Sequence, residues 1–141
     1  FSLKGASILV WMVIIVLLII LEEKINKKFI LYFLVALGIT STVVFGLKNT
    51  VQRARPTTVC EKDFSFPSAH AATAFAAATV LTYFDKKRRW FYYAVAVLIS
   101  YSRIYLGCHY FFDVLLGTIV GYIISRLLLS VPGTSPSRRK S

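Results

Sequence analysis

Twelve residues, Ser102-Arg103-Ile104-Tyr105-Leu106-Gly107-Cys108-His109-Tyr110-Phe111-Phe112-Asp113, bring an arginine, a histidine and a carboxylate together in a chain with few ionisable groups outside its end-loops. On a helix, the spacing of His109 and Asp113 sets both on one face, where Asp113 accepts a hydrogen bond from one imidazole nitrogen. The other nitrogen is then unprotonated and aimed outward, as a nucleophile or general base requires. Arg103 adds a permanently charged fork that matches a phosphoryl group. The same residues also suit a plain helix start in which histidine and aspartate cap one another. The stretch alone leaves both readings open.

Two other segments carry the same kinds of side chain. One runs Lys48-Asn49-Thr50-Val51-Gln52-Arg53-Ala54-Arg55-Pro56, and the other Phe66-Pro67-Ser68-Ala69-His70. Pro67 suits the first position of a helix, and the backbone N–H groups that follow form a ready anion site with His70 in its first turn. Arg53 and Lys62 read as solvated or headgroup-facing charges. Tyr105 and Tyr110 read as interface aromatics.

The elements that position these residues follow from composition. The chain has 141 residues, 57% of them hydrophobic, with a mean hydropathy of +0.67, too apolar for an ordinary soluble domain. It carries 17 Lys and Arg against 6 Asp and Glu, a net charge of +11. These cations interrupt apolar runs and form no continuous basic face, which argues against nucleic acid as a partner. Nothing alternates with period two, and an open sheet cannot span hydrocarbon. The expected fold is all-α, a polytopic transmembrane helical bundle over residues 1–131, followed by a disordered basic tail at 132–141.

Five spans are expected, at about 6–21, 29–47, 68–84, 90–102 and 110–129. The first is short for a crossing of about 20 residues. Glu22-Glu23-Lys24 follows it rather than a small-residue cleavage site, which argues against a secretory signal. The third span is rich in alanine (Ala69, Ala71, Ala72, Ala74, Ala76, Ala77 and Ala78), as suits a central helix. The fifth holds Gly117-xxx-Gly121, a close-packing face expected to serve within the chain.

Five spans put the 22–28 loop, the 85–89 loop and the C-terminus on one side, with Lys24, Lys27, Lys28, Lys86, Lys87, Arg88, Arg89, Arg138, Arg139 and Lys140. That side is expected to be cytoplasmic, with Trp90, Phe91, Tyr92 and Tyr93 as an aromatic anchor at its interface. The chemistry-bearing segments all fall on the other, extracytoplasmic face.

Lys48-x6-Arg55-Pro56, then Pro67-Ser68-Ala69-His70, then Ser102-Arg103-x5-His109-x3-Asp113 resembles the three-part signature of the type 2 phosphatidic-acid phosphatase superfamily, which includes bacterial acid phosphatases and vanadium haloperoxidases. The resemblance spans Lys48 to Gly117 with the parts in order. Ala69 stands where the family usually has Gly, and Phe111-Phe112 where members often show Pro-Ser. The family core has six helices, so a sixth is expected to precede Ile8.

The resemblance implies metal-free hydrolysis of a lipid phosphate or diphosphate through a phosphohistidine. His109 would attack phosphorus, Asp113 would orient its ring, and His70 would protonate the leaving oxygen and then activate water. Lys48, Arg55 and Arg103, with Ser68 and the backbone at Ala69, would bind the phosphoryl oxygens. A neutral and a protonated histidine together predict a bell-shaped pH profile. No cofactor is expected, and the partners are the bilayer and a membrane lipid phosphate. Polyprenyl diphosphate comes first among substrates, then phosphatidylglycerol phosphate and phosphatidate. The rival reading is a catalytically silent membrane protein that binds lipid phosphates.

Cys60 and Cys108 map to the outer side, where they either bridge the two catalytic loops or remain two thiols. A zinc site from Cys60, His70, Cys108 and His109 lacks the usual ligand spacings.

Overall fold

A computed structural model describes residues 9, 11–14, 16–17, 27–54, 56 and 64–131. Four helices follow one another: α1 (Lys27–Val51), α2 (Ala69–Phe84), α3 (Arg89–Tyr105) and α4 (Phe111–Leu129), with a 3-10 turn at Lys86–Arg88 between α2 and α3. The described residues between 9 and 17 are also helical, and Trp11 and Ile14 join the core. Among the described residues there is no strand, as expected of this chain. The 132–141 tail lies outside them.

Helix α2 is the middle of the bundle and packs against α1, α3 and α4. Its alanines explain why. Ala71, Ala72, Ala74, Ala76, Ala77 and Ala78 are all buried, and methyl side chains let three neighbouring backbones approach on different sides. Larger groups close the end remote from the candidate site: Phe29 and Phe33 of α1, Leu81 of α2, Tyr92 of α3 and Leu129 of α4 share one core. The outward faces are apolar too. Leu34, Phe45, Leu98 and Leu127 are each more than 60% exposed, an arrangement suited to lipid rather than water. Helix α1 from Lys28 onward and helix α4 are long and apolar enough to cross a membrane.

The tightest seam joins α2 to α4. A methyl added at Gly117 would meet the Ser68 carbonyl oxygen at 2.6 Å, and one at Gly121 would overlap the Ala72 carbonyl. One turn further on, the Ser125 hydroxyl donates to the Ala76 carbonyl at 3.4 Å. Gly117, Gly121 and Ser125 therefore face Ser68, Ala72 and Ala76 in step. Each row advances four residues at a time along its own helix, so the two helices are parallel neighbours. Gly117-xxx-Gly121 is an intramolecular packing face, as expected.

Three details differ from the sequence expectation. Pro67 does not open α2; Ser68 is its N-cap, with a hydroxyl that accepts the Ala71 N–H, and Pro67 precedes the cap. Serine supplies the acceptor that this position needs, and proline cannot. Helix α3 continues past residue 102 to Tyr105, so Arg103 lies in its last turn and not in a loop. The Trp90–Tyr93 group also divides. Consecutive helical residues point about 100° apart, so the four cannot share one face. Trp90 and Phe91 are exposed, whereas Tyr92 is fully buried and the Tyr93 hydroxyl pairs with the Thr79 hydroxyl at 3.1 Å.

Buried Tyr92 serves the α2–α3 junction. Its hydroxyl donates to the Asp85 carboxylate at 2.6 Å, which Arg88 also reaches at 2.7 Å, while the Asp85 N–H caps the Leu81 carbonyl. Burial pushes the Asp85 carboxyl up, but the Tyr92 and Arg88 hydrogen bonds outweigh it and hold the group below its ordinary value.

At its other end, α3 stops at Gly107, whose φ of 72° lies in the left-handed region that glycine adopts freely. The Gly107 N–H bonds the Ile104 carbonyl at 3.0 Å, and the Cys108 N–H bonds the Arg103 carbonyl at 3.0 Å. This pair of bonds is the Schellman termination, and it delivers the chain to His109.

Two glycine tests follow. Gly121→Ala should destabilise the chain by about 1–3 kcal/mol or more, since a methyl would be forced onto backbone. Gly38→Ala, where a methyl would meet nothing within 4 Å, should leave the thermal midpoint level or slightly raised. Equal midpoints for the two variants would contradict the seam. Gly107→Ala should cost about 1–2 kcal/mol, and Gly107→Asn less, because asparagine tolerates the left-handed backbone. A Gly107→Ala midpoint matching the wild type would contradict the termination described.

Candidate active site

The site is built where the loop before α2, the turn after α3 and the start of α4 meet. Its anchor is backbone: the Ser68 N–H donates to the Asp113 carbonyl at 3.0 Å, joining the start of α2 to the first turn of α4. Gly117 leaves room for this approach. Ser68 is fully buried and heavily engaged. Its N–H goes to Asp113, its hydroxyl oxygen takes the Ala71 N–H at 3.3 Å, and its carbonyl takes the Ala72 N–H at 3.0 Å. Of its donors, the hydroxyl hydrogen is the one left to give to a phosphoryl oxygen. Ala69 opens α2, where a backbone N–H has no acceptor within the helix. His70 is the next residue, half-buried.

His109 is buried, but it does not lie on a helix with Asp113. Helix α4 begins at Phe111 with Tyr110 as N-cap, so His109 precedes it. The expected imidazole–carboxylate hydrogen bond is absent. Nδ1 of His109 lies 2.8 Å from the Ser65 carbonyl oxygen and 3.8 Å from Asp113 Oδ2. A carbonyl only accepts, so the bond places the proton on Nδ1 and the lone pair on Nε2. Asp113 is drawn elsewhere. Its Oδ2 accepts the Tyr110 N–H at 2.8 Å, capping α4, and its Oδ1 accepts from Arg53 Nη1 at 3.3 Å. Ser65 thus orients the ring, and Asp113, fully buried, acts on it as a nearby charge.

The cations arrive from different elements. Lys48, in the last turn of α1, is 6% exposed, and its Nζ donates to the Phe64 carbonyl beside Ser65. Arg103, in the last turn of α3, is 3% exposed and presents its carbonyl to the His109 N–H at 3.3 Å. Arg55, the third expected phosphate ligand, lies outside the described residues. Cys60 does too. Cys108 is buried and disulfide-bonded, which removes its thiolate from any zinc set. Among the described residues, no group of three or more His, Cys, Asp or Glu could hold a metal ion.

Sequence reasoning missed two participants. Arg53, read as a solvated charge, is half-buried: it bonds Asp113, stacks over the Tyr110 ring at 4.4 Å, and accepts the Ser65 N–H on its carbonyl at 2.8 Å. Ser65 meets His109 through its backbone carbonyl, so its side-chain type did not point to the ring. For Arg53 the signal was the aromatic Tyr110 at a helix start, which offers a guanidinium a ring to rest on. Tyr105, by contrast, is 77% exposed, as an interface aromatic should be.

Comparison with known proteins gives this arrangement a family. Residues 29–136 match the family model of the PAP2 superfamily. An undecaprenyl-diphosphatase from Sulfolobus acidocaldarius is 33% identical over 138 residues, covering 92% of this chain and 67% of that protein. The phosphatidylglycerophosphatase B of Bacillus subtilis is 34% identical over 109 residues, or 62% of this chain and 54% of its own length. The crystal structure of a transmembrane PAP2 type phosphatidylglycerolphosphate phosphatase from Bacillus subtilis superposes with a TM-score of 0.70 at 25% identity, covering 97% of this chain and 78% of that one. The chain thus spans between about half and two thirds of the two curated relatives, yet it contains every segment that builds the site above. It belongs to the PAP2 superfamily, the type 2 phosphatidic-acid phosphatases, and shares their transmembrane helical fold.

Proposed function

We propose that the protein is an integral-membrane lipid phosphatase that hydrolyses a lipid phosphate or diphosphate through a phosphohistidine. The observation that carries this reading is the His109 ring, fixed by the Ser65 carbonyl with its lone pair on Nε2. Nε2 attacks phosphorus and the bond to the leaving lipid oxygen breaks, with His70 giving that oxygen a proton. His70 then takes a proton from water, whose oxygen displaces His109 and releases the phosphate. Phosphoryl transfer asks a protein chiefly for positioning and for neutralising charge on the equatorial oxygens. Lys48, Arg55 and Arg103, with the Ser68 hydroxyl and the backbone at Ala69, are assigned that task, and the scheme needs no metal.

Polyprenyl diphosphate is the first substrate choice, in keeping with the name of the Sulfolobus relative, followed by phosphatidylglycerol phosphate and phosphatidate. The site is assigned to the extracytoplasmic face because the 85–89 turn, with Lys86, Lys87, Arg88 and Arg89, lies at the opposite end of α2 and α3. The 1–131 segment is read as one catalytic domain.

Phosphate release from polyprenyl diphosphate by detergent-solubilised protein, with chelator present, tests the reaction. Release should persist under chelation and vanish in His109→Ala. A fully active His109→Ala variant would sink the phosphohistidine, and no release from any of the three lipids would favour silent lipid-phosphate binding. For sidedness, Lys87→Cys should resist a membrane-impermeant thiol reagent in intact cells and react once they are permeabilised. Labelling in intact cells would reverse the orientation.

A further inference from the structure

We infer that Arg53 is a positioning residue for His109: its backbone carbonyl fixes Ser65 and its side chain offsets the Asp113 charge, so that the imidazole stays neutral and correctly protonated. The inference rests on the lipid phosphatase reading for its meaning, but its geometry stands independently. Gln52, just after α1, takes a left-handed φ of 52°, which is unusual for a residue with a side chain. That bend turns Arg53 back into the bundle. The Arg53 carbonyl accepts the Ser65 N–H at 2.8 Å, and the neighbouring Ala54 carbonyl accepts the Ser65 hydroxyl at 3.3 Å. These bonds fix the residue whose own carbonyl holds His109 Nδ1. The Arg53 side chain meanwhile reaches Asp113 Oδ1 and lies over Tyr110, whose N–H holds the other carboxylate oxygen. One residue therefore restrains both groups that face Nδ1.

The electrostatic sense is definite. A buried carboxylate 3.8 Å from Nδ1 favours the imidazolium, which has no nucleophilic lone pair. Arg53 opposes this from the far oxygen. Among the described residues, the other charged or titratable groups at this end include Lys48 on α1, His70 on α2, Arg103 and the exposed Tyr105 on α3, and Tyr110 at the start of α4, and Asp113 is the one carboxylate. Loss of Arg53 leaves that carboxylate acting on the ring without its counter-charge. The fraction of neutral His109 at mildly acidic pH then falls, while the Ser65 tether, held by the backbone carbonyl of residue 53, stays in place. A phosphate-binding arginine would behave differently, since its loss would raise KM and leave the pH dependence of the nucleophile in place.

The chain has two histidines, so in a His70→Asn background the imidazole of His109 titrates alone. Its ring resonances, followed against pH in the full detergent-solubilised chain, should move to a midpoint about one unit higher in Arg53→Gln. Arg53→Met, which keeps the apolar stem, should do the same and serves if the glutamine variant does not fold. Arg53→Lys should restore most of the wild-type midpoint, and Lys87→Gln, a cation removed at the far end, should leave it unmoved. An unchanged midpoint in the folded Gln or Met variant overturns the inference, as does a Lys variant that restores nothing. With His70 intact, the acidic limb of kcat/KM should shift upward by the same amount at constant KM. A raised KM with an unshifted limb would make Arg53 a substrate ligand instead. If the wild-type chain releases phosphate from no lipid, the proposed function fails, while the titration still decides the role of Arg53.

Discussion

The whole site depends on two backbones lying against each other. Gly117 and Gly121 remove the side chains that would keep α4 away from the start of α2, and the Ser68–Asp113 bond closes the gap. From that contact the rest follows. Ser68 is held where it can cap α2, the 64–68 segment is drawn across the bundle, and Ser65 arrives beside His109. Asp113 is buried at the same point and can cap α4 and meet Arg53 without leaving it. Lipid offers no hydrophobic drive to press helices together, so close packing and hydrogen bonds must hold this approach in place.

The two ends of the bundle are organised on different principles. At the end carrying Asp85, one carboxylate is satisfied by Tyr92 and Arg88, both within seven residues of it, and the result is a self-contained helix junction. At the end carrying His109, the bonds run between segments far apart in sequence: Arg53 to Asp113, Ser65 to His109, Lys48 to Phe64. Local bonds make a turn. Long-range bonds make a site, and they require the helices to be packed first.

This difference explains what could be read from the sequence. The all-α bundle, the central alanine helix and the Gly117–Gly121 face were legible because each is a periodic pattern carried by side chains. Lys48, Ser68, His70, Arg103, His109 and Asp113 were legible as types at family spacings. Their hydrogen bonds were not. The His109–Asp113 pairing assumed one continuous helix, but the Gly107 termination and the Tyr110 cap set the helix start later. Ser65 gave no sign because it meets His109 through its carbonyl, and carbonyls are common to all residues. Tyr92 and Tyr93 passed for interface aromatics because composition does not say which way a helix is turned.

The parallel course of α2 and α4 has an electrostatic consequence. Parallel neighbours set their macrodipoles side by side, an unfavourable arrangement, with two positive poles together worth about one elementary charge at the His109 end. Helices α1 and α3 run the other way and end there, and their negative poles are answered by Lys48 and Arg103 in their last turns. All four helix ends are thus left positive or neutralised around one spot. Positive helix poles of this kind attract anions, phosphate groups among them. That attraction is then a property of helix direction as much as of any single side chain.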